Sequence, residues 1–212
     1  MTCPQCQGIK EVFSQRYVSK ELAQYRLKGP AKTTRMLVEA IKKAGVDGLT
    51  LLDIGGGVGA IQHELLDAGL RGATNVDASL AYINAASEEA QRRGYAGRVS
   101  HHYGNFVDLA TDIDPADIVT LDRVICCYHD MEKLVSLSAE RARNLYGLVY
   151  PRDTWWVKIG LAVENFFSRL QRSPYRAFVH PTQAVESLVR STGLRPTSYR
   201  RTFVWQVVVY TR

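Results

Sequence analysis

Leu51-Leu52-Asp53-Ile54-Gly55-Gly56-Gly57-Val58-Gly59-Ala60 is an apolar run that carries one acid and ends in a glycine cluster. The pattern describes a strand turning sharply into a helix over a ligand, because glycine accepts positive φ and lets the backbone approach closely. The next residues, Ile61-Gln62-His63-Glu64-Leu65-Leu66, have helical apolar spacing. Two cofactor classes use such a loop. A dinucleotide site would place pyrophosphate on the helix N-terminus and would read Gly55-x-Gly57-x-x-Ala60 as its fingerprint. Asp53 argues for the other class. A carboxylate two residues before the first glycine repels a pyrophosphate, whereas it suits a ligand with an ammonium and a sulfonium, such as S-adenosylmethionine.

Residues 73 to 77, Ala-Thr-Asn-Val-Asp, read as a second short strand ending in an acid, and Asp77 stands 18 residues beyond Gly59. A carboxylate there can accept both ribose hydroxyls, in a dinucleotide site as well. Asp53, the glycine loop, Asp77 and the later Gly104-Asn105-Phe106 together favour S-adenosylmethionine. On these residues the chain resembles the class I S-adenosylmethionine-dependent methyltransferases. Their first motif, an acid-bearing strand leading to G-x-G-x-G, is matched by Asp53, Gly55, Gly57 and Gly59. The resemblance spans residues 35 to 150. It implies a methyltransferase with a Rossmann-like α/β fold, and cofactor contacts from Asp53, Gly55, Gly57, Gly59, Asp77, Ala78, Asn105, Phe106, Asp122 and Arg123.

The 212 residues, 46% apolar, suffice for one α/β core. No segment is long enough to span a membrane, and the first residues lack the apolar stretch of a signal peptide, so a cytoplasmic location is expected. Cys3, Cys6, Cys126 and Cys127 do not form a secreted disulfide framework, and reduced thiols are expected. The net charge of +6 is uneven. Residues 1 to 50 carry 9 basic and 4 acidic side chains, residues 51 to 140 carry 6 and 14, and residues 141 to 212 carry 12 and 3. Basic ends packed around the carboxyl edge of the sheet would flank a substrate mouth and favour an anionic acceptor; a solvated basic face is the plainer alternative.

Strand and helix patterns alternate along the chain. Helices are expected at 9–28, 31–44, 59–68, 79–93, 131–143, 155–172 and 181–192, with Ser79 capping the fourth and Asp153 or Thr154 the sixth. Strands are expected at 49–54, 73–77, 98–103, 116–122, 144–150, 197–203 and 204–211. This order predicts a mostly parallel sheet with helices on both faces. The last two strands are too close for a crossover helix and should form an antiparallel hairpin at the edge. Seven strands result, as the resemblance implies. Residues 1–34 read as an N-terminal helical lid segment and 35–212 as the methyltransferase domain.

Asp117-Ile-Val-Thr-Leu-Asp122-Arg123 reads as a buried fourth strand ending in a polar pair at the ligand edge. The turn after it, Val124-Ile125-Cys126-Cys127-Tyr128-His129-Asp130, is dense in reactive groups, and the resemblance implies that it faces the methyl group. Cys126 follows Ile125 on an apolar path and reads as a small core residue. Cys127, Tyr128 and His129 are the candidate catalytic groups, each balanced against a packing role; Tyr25, in the turn after the first helix, is a more distant candidate. Methyl transfer asks the protein to align the nucleophile, take up a proton where needed and exclude water.

A narrower resemblance runs from the fourth strand to the C-terminus. Leu121-Asp122, Tyr128, Val149-Tyr-Pro151-Arg-Asp-Thr-Trp155-Trp156 and Arg176-Ala-Phe-Val-His180 are similar to the magnesium-protoporphyrin IX methyltransferases, which methylate a porphyrin propionate. Where that family has histidine before the tyrosine and proline after it, this chain has Cys127 and His129. A carboxylate nucleophile, ionised near neutrality, hardly needs a base. The resemblance therefore implies a small-molecule acceptor with a carboxylate or other oxygen nucleophile on an aromatic or porphyrin-like framework.

In residues 155–172, Trp155, Ile159, Val163, Phe166 and Leu170 fall on one helical stripe with Lys158, Arg169 and Arg172 elsewhere. The stripe packs on the core, caps a flat aromatic substrate or touches a membrane surface. Basic ends and aromatics also allow a nucleic-acid methyltransferase, but there is no Asn-Pro-Pro-Tyr or Asp-Pro-Pro-Tyr tetrapeptide after the fourth strand. Cys3-Pro-Gln-Cys6 has half the ligands of a zinc site and no second pair; a metal there would need a histidine or a second chain, and none is expected. A thiol methyltransferase and a non-catalytic S-adenosylmethionine sensor or assembly subunit stay open as alternatives.

Overall fold

The computed structural model describes Gly8, residues 12–171, Ser173 and residues 175–212. Cys3, Cys6, Arg172 and the start of the expected first helix lie outside the described residues. The elements follow in the order α1 (Gln15–Lys28), α2 (Lys32–Ala44), β1 (Thr50–Ile54), α3 (Ala60–Leu66), β2 (Gly72–Asp77), α4 (Leu80–Arg92), β3 (Val99–Tyr103), α5 (Phe106–Leu109), β4 (Ala116–Asp122), α6 (Met131–Glu140), β5 (Ala142–Pro151), α7 (Trp155–Leu170), α8 (Thr182–Ser191), β6 (Arg195–Arg201) and β7 (Trp205–Thr211). Among the described residues the one-turn α5 and the short 3-10 turns at Ala96–Arg98, Ala110–Asp112 and Ile125–Cys127 escaped the apolar periodicity, being too short to display a period.

The seven strands form one sheet in the order β3-β2-β1-β4-β5-β7-β6. Strands β1 to β5 pair in parallel, and β7 runs antiparallel to both β5 and β6. The expected hairpin is present, with its second strand inserted against β5 and its first left at the edge. Composition explains that order. In β7, Gln206 through Tyr210 are buried, whereas β6 alternates between exposed and half-buried residues, and its Pro196 adjoins a register shift. Arginines and proline on an exposed edge discourage further strand pairing.

Two apolar layers sandwich the sheet. On one face α6 and α8 cover Leu52, Val119, Leu121 and Leu148. On the other, α2 and α3 cover Leu51, Ile118 and Val149. Alternate residues of β1 and β4 enter opposite layers, as the strand period of two requires. A smaller cluster joins Val18, Leu22 and Tyr25 of α1 to Tyr82 and Ala85 of α4. Ser79 caps α4, accepting from the Tyr82 N–H at 3.4 Å. Thr154 occupies the N-cap position of α7 without a side-chain cap bond. Among the described residues no helix is long and apolar enough to cross a membrane.

Candidate active site

The strand order reverses between β1 and β4, and the crevice at such a switch point is where open α/β sheets bind ligands. A cavity of about 510 Å³ opens there, within the range of small-molecule sites. The glycine loop, the ends of β2 and β4, α1 and the inner side of α7 all contribute walls.

Asp77, at the end of β2, lines the cavity and is almost completely buried. Its Oδ2 accepts from the Gly57 N–H at 3.1 Å and its Oδ1 from the Ser79 N–H at 2.8 Å. Burial nevertheless pushes its pKa up to about 6, against the opposing pull of those two donors. Gly57 sits at φ +56°, where a side chain is strained, and this turn aims its N–H at Asp77. Gly55 and Gly57 line the cavity; Gly59, also expected to bind, lies outside its wall as the N-cap of α3. Ala78, Asn105, Phe106, Asp122 and Arg123 line it too. Arg123 has φ +61°, unusual for a residue with a side chain. Its N–H donates to the Val149 carbonyl at 2.8 Å, and its guanidinium reaches Asp122 at 3.2 Å. Thr34 Oγ1 also donates to Asp122.

Asp53 lies with Gly55, Gly56 and Gly57 around a small second pocket. Its carboxylate points beneath the glycine loop, outside the large cavity, and is 1% exposed. Thr120 Oγ1 donates to Oδ1 at 2.7 Å and Gln62 Nε2 to Oδ2 at 3.0 Å. The register produces this arrangement, since Asp53 lies opposite Thr120 of β4. Burial outweighs the two hydrogen bonds and raises its pKa to about 7. Asp53 therefore braces the loop, and a direct bond to a ligand's ammonium does not follow from its position.

The turn after β4 divides its residues. Cys126 and Cys127 both line the cavity, so Cys126 is more than core filling. Their sulfurs are 3.8 Å apart, and Cys127 Sγ also meets Tyr175 Oη at 3.1 Å. The hydrogen bond from Cys126 is the main reason that the Cys127 thiol sits below its ordinary pKa; the same bond, with burial, raises Cys126. Tyr128 lines the cavity, and its Oη accepts from Asn105 Nδ2 at 3.1 Å. His129 does not line it and packs its ring, tilted, against Tyr128 with centroids 5.1 Å apart. Tyr25 is likewise removed from the site. It is buried beside His63, ring centroids 6.2 Å apart, and beneath Arg93, where burial drives its phenol pKa upward. Neither His129 nor Tyr25 is placed to touch an acceptor in the cavity.

Several lining residues escaped sequence reading. Tyr17 and Glu21 project from one side of α1, and Tyr82 Oη donates to Glu21 Oε2 at 2.6 Å. Glu164 and Leu161 come from α7, Tyr175 and Ala177 from the segment after it, and Trp205 from β7. Glu164 had a signal: it is the sole acid between Asp153 and Glu186 in a basic region. Asn165 clamps the segment beyond α7, donating to the Ala177 carbonyl at 2.7 Å and accepting from its N–H at 2.9 Å. Among the described lining residues, Glu21, Asp77, Asp122 and Glu164 are acidic and Arg123 alone is basic. The basic ends thus do not form this wall, because their arginines lie largely on the edge strand and outer helices.

The family description "O-methyltransferase domain" matches residues 2–144. No curated protein sequence matches significantly. Among solved structures, the magnesium protoporphyrin IX methyltransferase of Synechocystis PCC 6803 with bound SAH is similar, at 18% identity over 98% of this chain and 99% of that one, TM-score 0.75. An O-methyltransferase family protein from Burkholderia thailandensis is 20% identical over 95% of this chain and 61% of that one, TM-score 0.70. The pyocyanin biosynthetic protein PhzM is 17% identical over 84% of this chain and 55% of that one, TM-score 0.60.

Proposed function

We propose, from the premise that the chain belongs to the O-methyltransferase domain family, that it methylates an oxygen nucleophile on an aromatic small molecule. Its cofactor is S-adenosylmethionine, as in the class I methyltransferases whose fold it has. The observation that carries the acceptor reading is that one cavity is lined both by Asp77 and the glycine loop and by Cys127, Tyr128, Tyr175 and Leu161.

The residues present suit the cofactor. A buried carboxylate whose pKa has risen to about 6 gains from any hydroxyl donor or positive charge brought to it. Asp77 would accept from ribose hydroxyls, and the exposed backbone of Gly55 and Gly57 would border the amino-acid portion. Asn105 and Phe106 would flank the base, while Asp122 and Arg123 close the wall at the switch point. When bound, S-adenosylmethionine supplies a methyl group on an electrophilic sulfonium. The chain's part is to align the acceptor and keep water out. Tyr128 Oη, held by Asn105, can orient a polar atom, and the Glu164 carboxylate faces the same cavity as a proton acceptor for a phenolic hydroxyl. An acceptor carboxylate would need no base, but it would meet an acid-rich wall with one guanidinium.

Labelled methyl transfer to phenols, aromatic carboxylic acids and porphyrins, with RNA as a control, tests this reading. Turnover confined to oxygen-bearing aromatics is expected. Turnover on RNA alone, or S-adenosylhomocysteine binding with no turnover on any acceptor pool, would refute it. Asp77→Asn should weaken S-adenosylhomocysteine binding about tenfold or more by calorimetry. Binding to the native protein should also weaken as pH falls through about 6, where Asp77 takes up a proton.

A further inference from the structure

Helix α7 inverts the ordinary relation between apolarity and burial. Val157 is its one buried residue, while Trp155, Ile159, Val163, Phe166, Phe167 and Leu170 are all exposed by half or more. Five of these recur at spacings of three and four and so form one continuous stripe along the helix. Exposed apolar surface continues past its N-terminal end. Trp156 stacks on Phe203 with ring centroids 5.7 Å apart, and Phe203, in the β6–β7 turn, is 74% exposed. A contiguous patch of this kind on a folded chain marks a binding surface.

We propose that this outer face of α7 is an interfacial docking surface for an anionic lipid bilayer. Charge selects the occupant. Lys158 and Arg169 border the stripe on one side, and Arg152 lies over the Trp156 ring at 5.5 Å. Lys158 is paired with Asp153, but Arg152 is held by the carbonyls of Thr202 and Phe203 and has no ion pair among the described residues. The one acid of the helix, Glu164, faces the cavity on the opposite side. An apolar stripe rich in tryptophan and phenylalanine with a cationic border matches the headgroup boundary of an anionic membrane. A second copy docked through the same face would bring one cationic border against another. Leu161 and Glu164, of the same helix, line the cavity. Docking therefore places that wall of the cavity beside the bilayer, where an apolar aromatic molecule is concentrated.

The test is sedimentation of the full chain with phosphatidylcholine vesicles, with and without phosphatidylglycerol, read together with tryptophan fluorescence. Binding to the anionic vesicles and a blue shift from Trp155 are expected. Phe166→Ser combined with Leu170→Ser should lower binding at least about tenfold, because two large side chains no longer enter the interface. These residues are solvent-exposed, and circular dichroism with S-adenosylhomocysteine binding checks that the variant is folded. Arg169→Glu should lower binding to anionic vesicles about tenfold and leave the residual binding to neutral ones unchanged. Failure of the native chain to sediment, or equal binding by the folded double variant, overturns the proposal. So does a native dimer in sedimentation velocity that the double variant converts to monomer, since that result assigns the stripe to a second copy.

Discussion

The glycine-loop end of the cavity and the outer face of α7 break the same rule in opposite directions. Beneath the loop, Asp53 and Asp77 are carboxylates taken almost wholly out of water; on α7, Trp155, Phe166 and Leu170 are large apolar groups left in it. Each departure costs stability, and each is supported by its surroundings. The acids have designated donors in Thr120, Gln62, Ser79 and Gly57. The stripe rests on a helix whose other side is tied down by Val157 and the Asn165 clamp. Structure that tolerates such costs tends to be structure that meets a ligand or a partner.

The largest expected effect tests the loop side of this contrast through pH. Asp53 titrates near 7 in the folded chain and near 3.8 as an ordinary carboxyl. Between those values the folded state binds more protons than the unfolded chain. Stability should therefore fall as pH rises from about 4 to 7, by up to about 4 kcal/mol. Asp77, raised to about 6, contributes in the same direction. Asp53→Asn should flatten most of this slope in urea melts, because Gln62 can turn its amide and offer its oxygen, which now has no partner. A slope unchanged in Asp53→Asn would assign the pH dependence elsewhere.

Next comes Gly56→Ala. A Cβ there would stand 2.4 Å from both Asn75 Oδ1 and Gln62 Nε2 and 2.8 Å from Asp53 Oδ2. Those groups are the braces beneath the loop, so the substitution should cost about 3 kcal/mol in chemical denaturation and weaken S-adenosylhomocysteine binding as well. A near-neutral result would mean that the loop has more freedom than its packing indicates.

Arg123→Gly should act in two opposite ways. Relief of the left-handed backbone should stabilise the chain by about 1 kcal/mol, while loss of the guanidinium beside Asp122 weakens cofactor binding. Thermal melts and calorimetry on one variant separate the two. The smallest effect belongs to α7. Ile159→Ser on the exposed stripe should change folding stability by no more than about 0.5 kcal/mol, whereas Val157→Ala, on the buried side of the same helix, should cost about 1 to 2 kcal/mol. Equal losses would show that the stripe is buried in the folded protein and would erase the contrast.

Much of this architecture was legible beforehand because local patterns encode it. The β1 run and the glycine loop read correctly as strand, turn and helix, and Asp77 read as the acid closing β2. These assignments depend on periodicity and on backbone conformations that few residues tolerate. The catalytic candidates divided for a different reason. Cys127 and Tyr128 line the cavity and His129, the next residue, does not, since the chain turns within that span. Tyr25 read as a lid residue and packs beside His63, a placement set by how α1 meets α3 and α4.

By itself, then, the sequence determined the alternation of strands and helices, the place of the site at the carboxyl edge of the strands and the class of its cofactor, because each is written in short-range spacing. Tertiary structure alone decided that Asp53 is bonded to Thr120 beneath the loop, that Glu164 and Tyr175 line the cavity, and that the apolar stripe of α7 faces outward. An amphipathic pattern specifies that two faces differ. Which one is covered depends on elements far away in the chain, and here Leu161 and Glu164 on the inner face line the cavity.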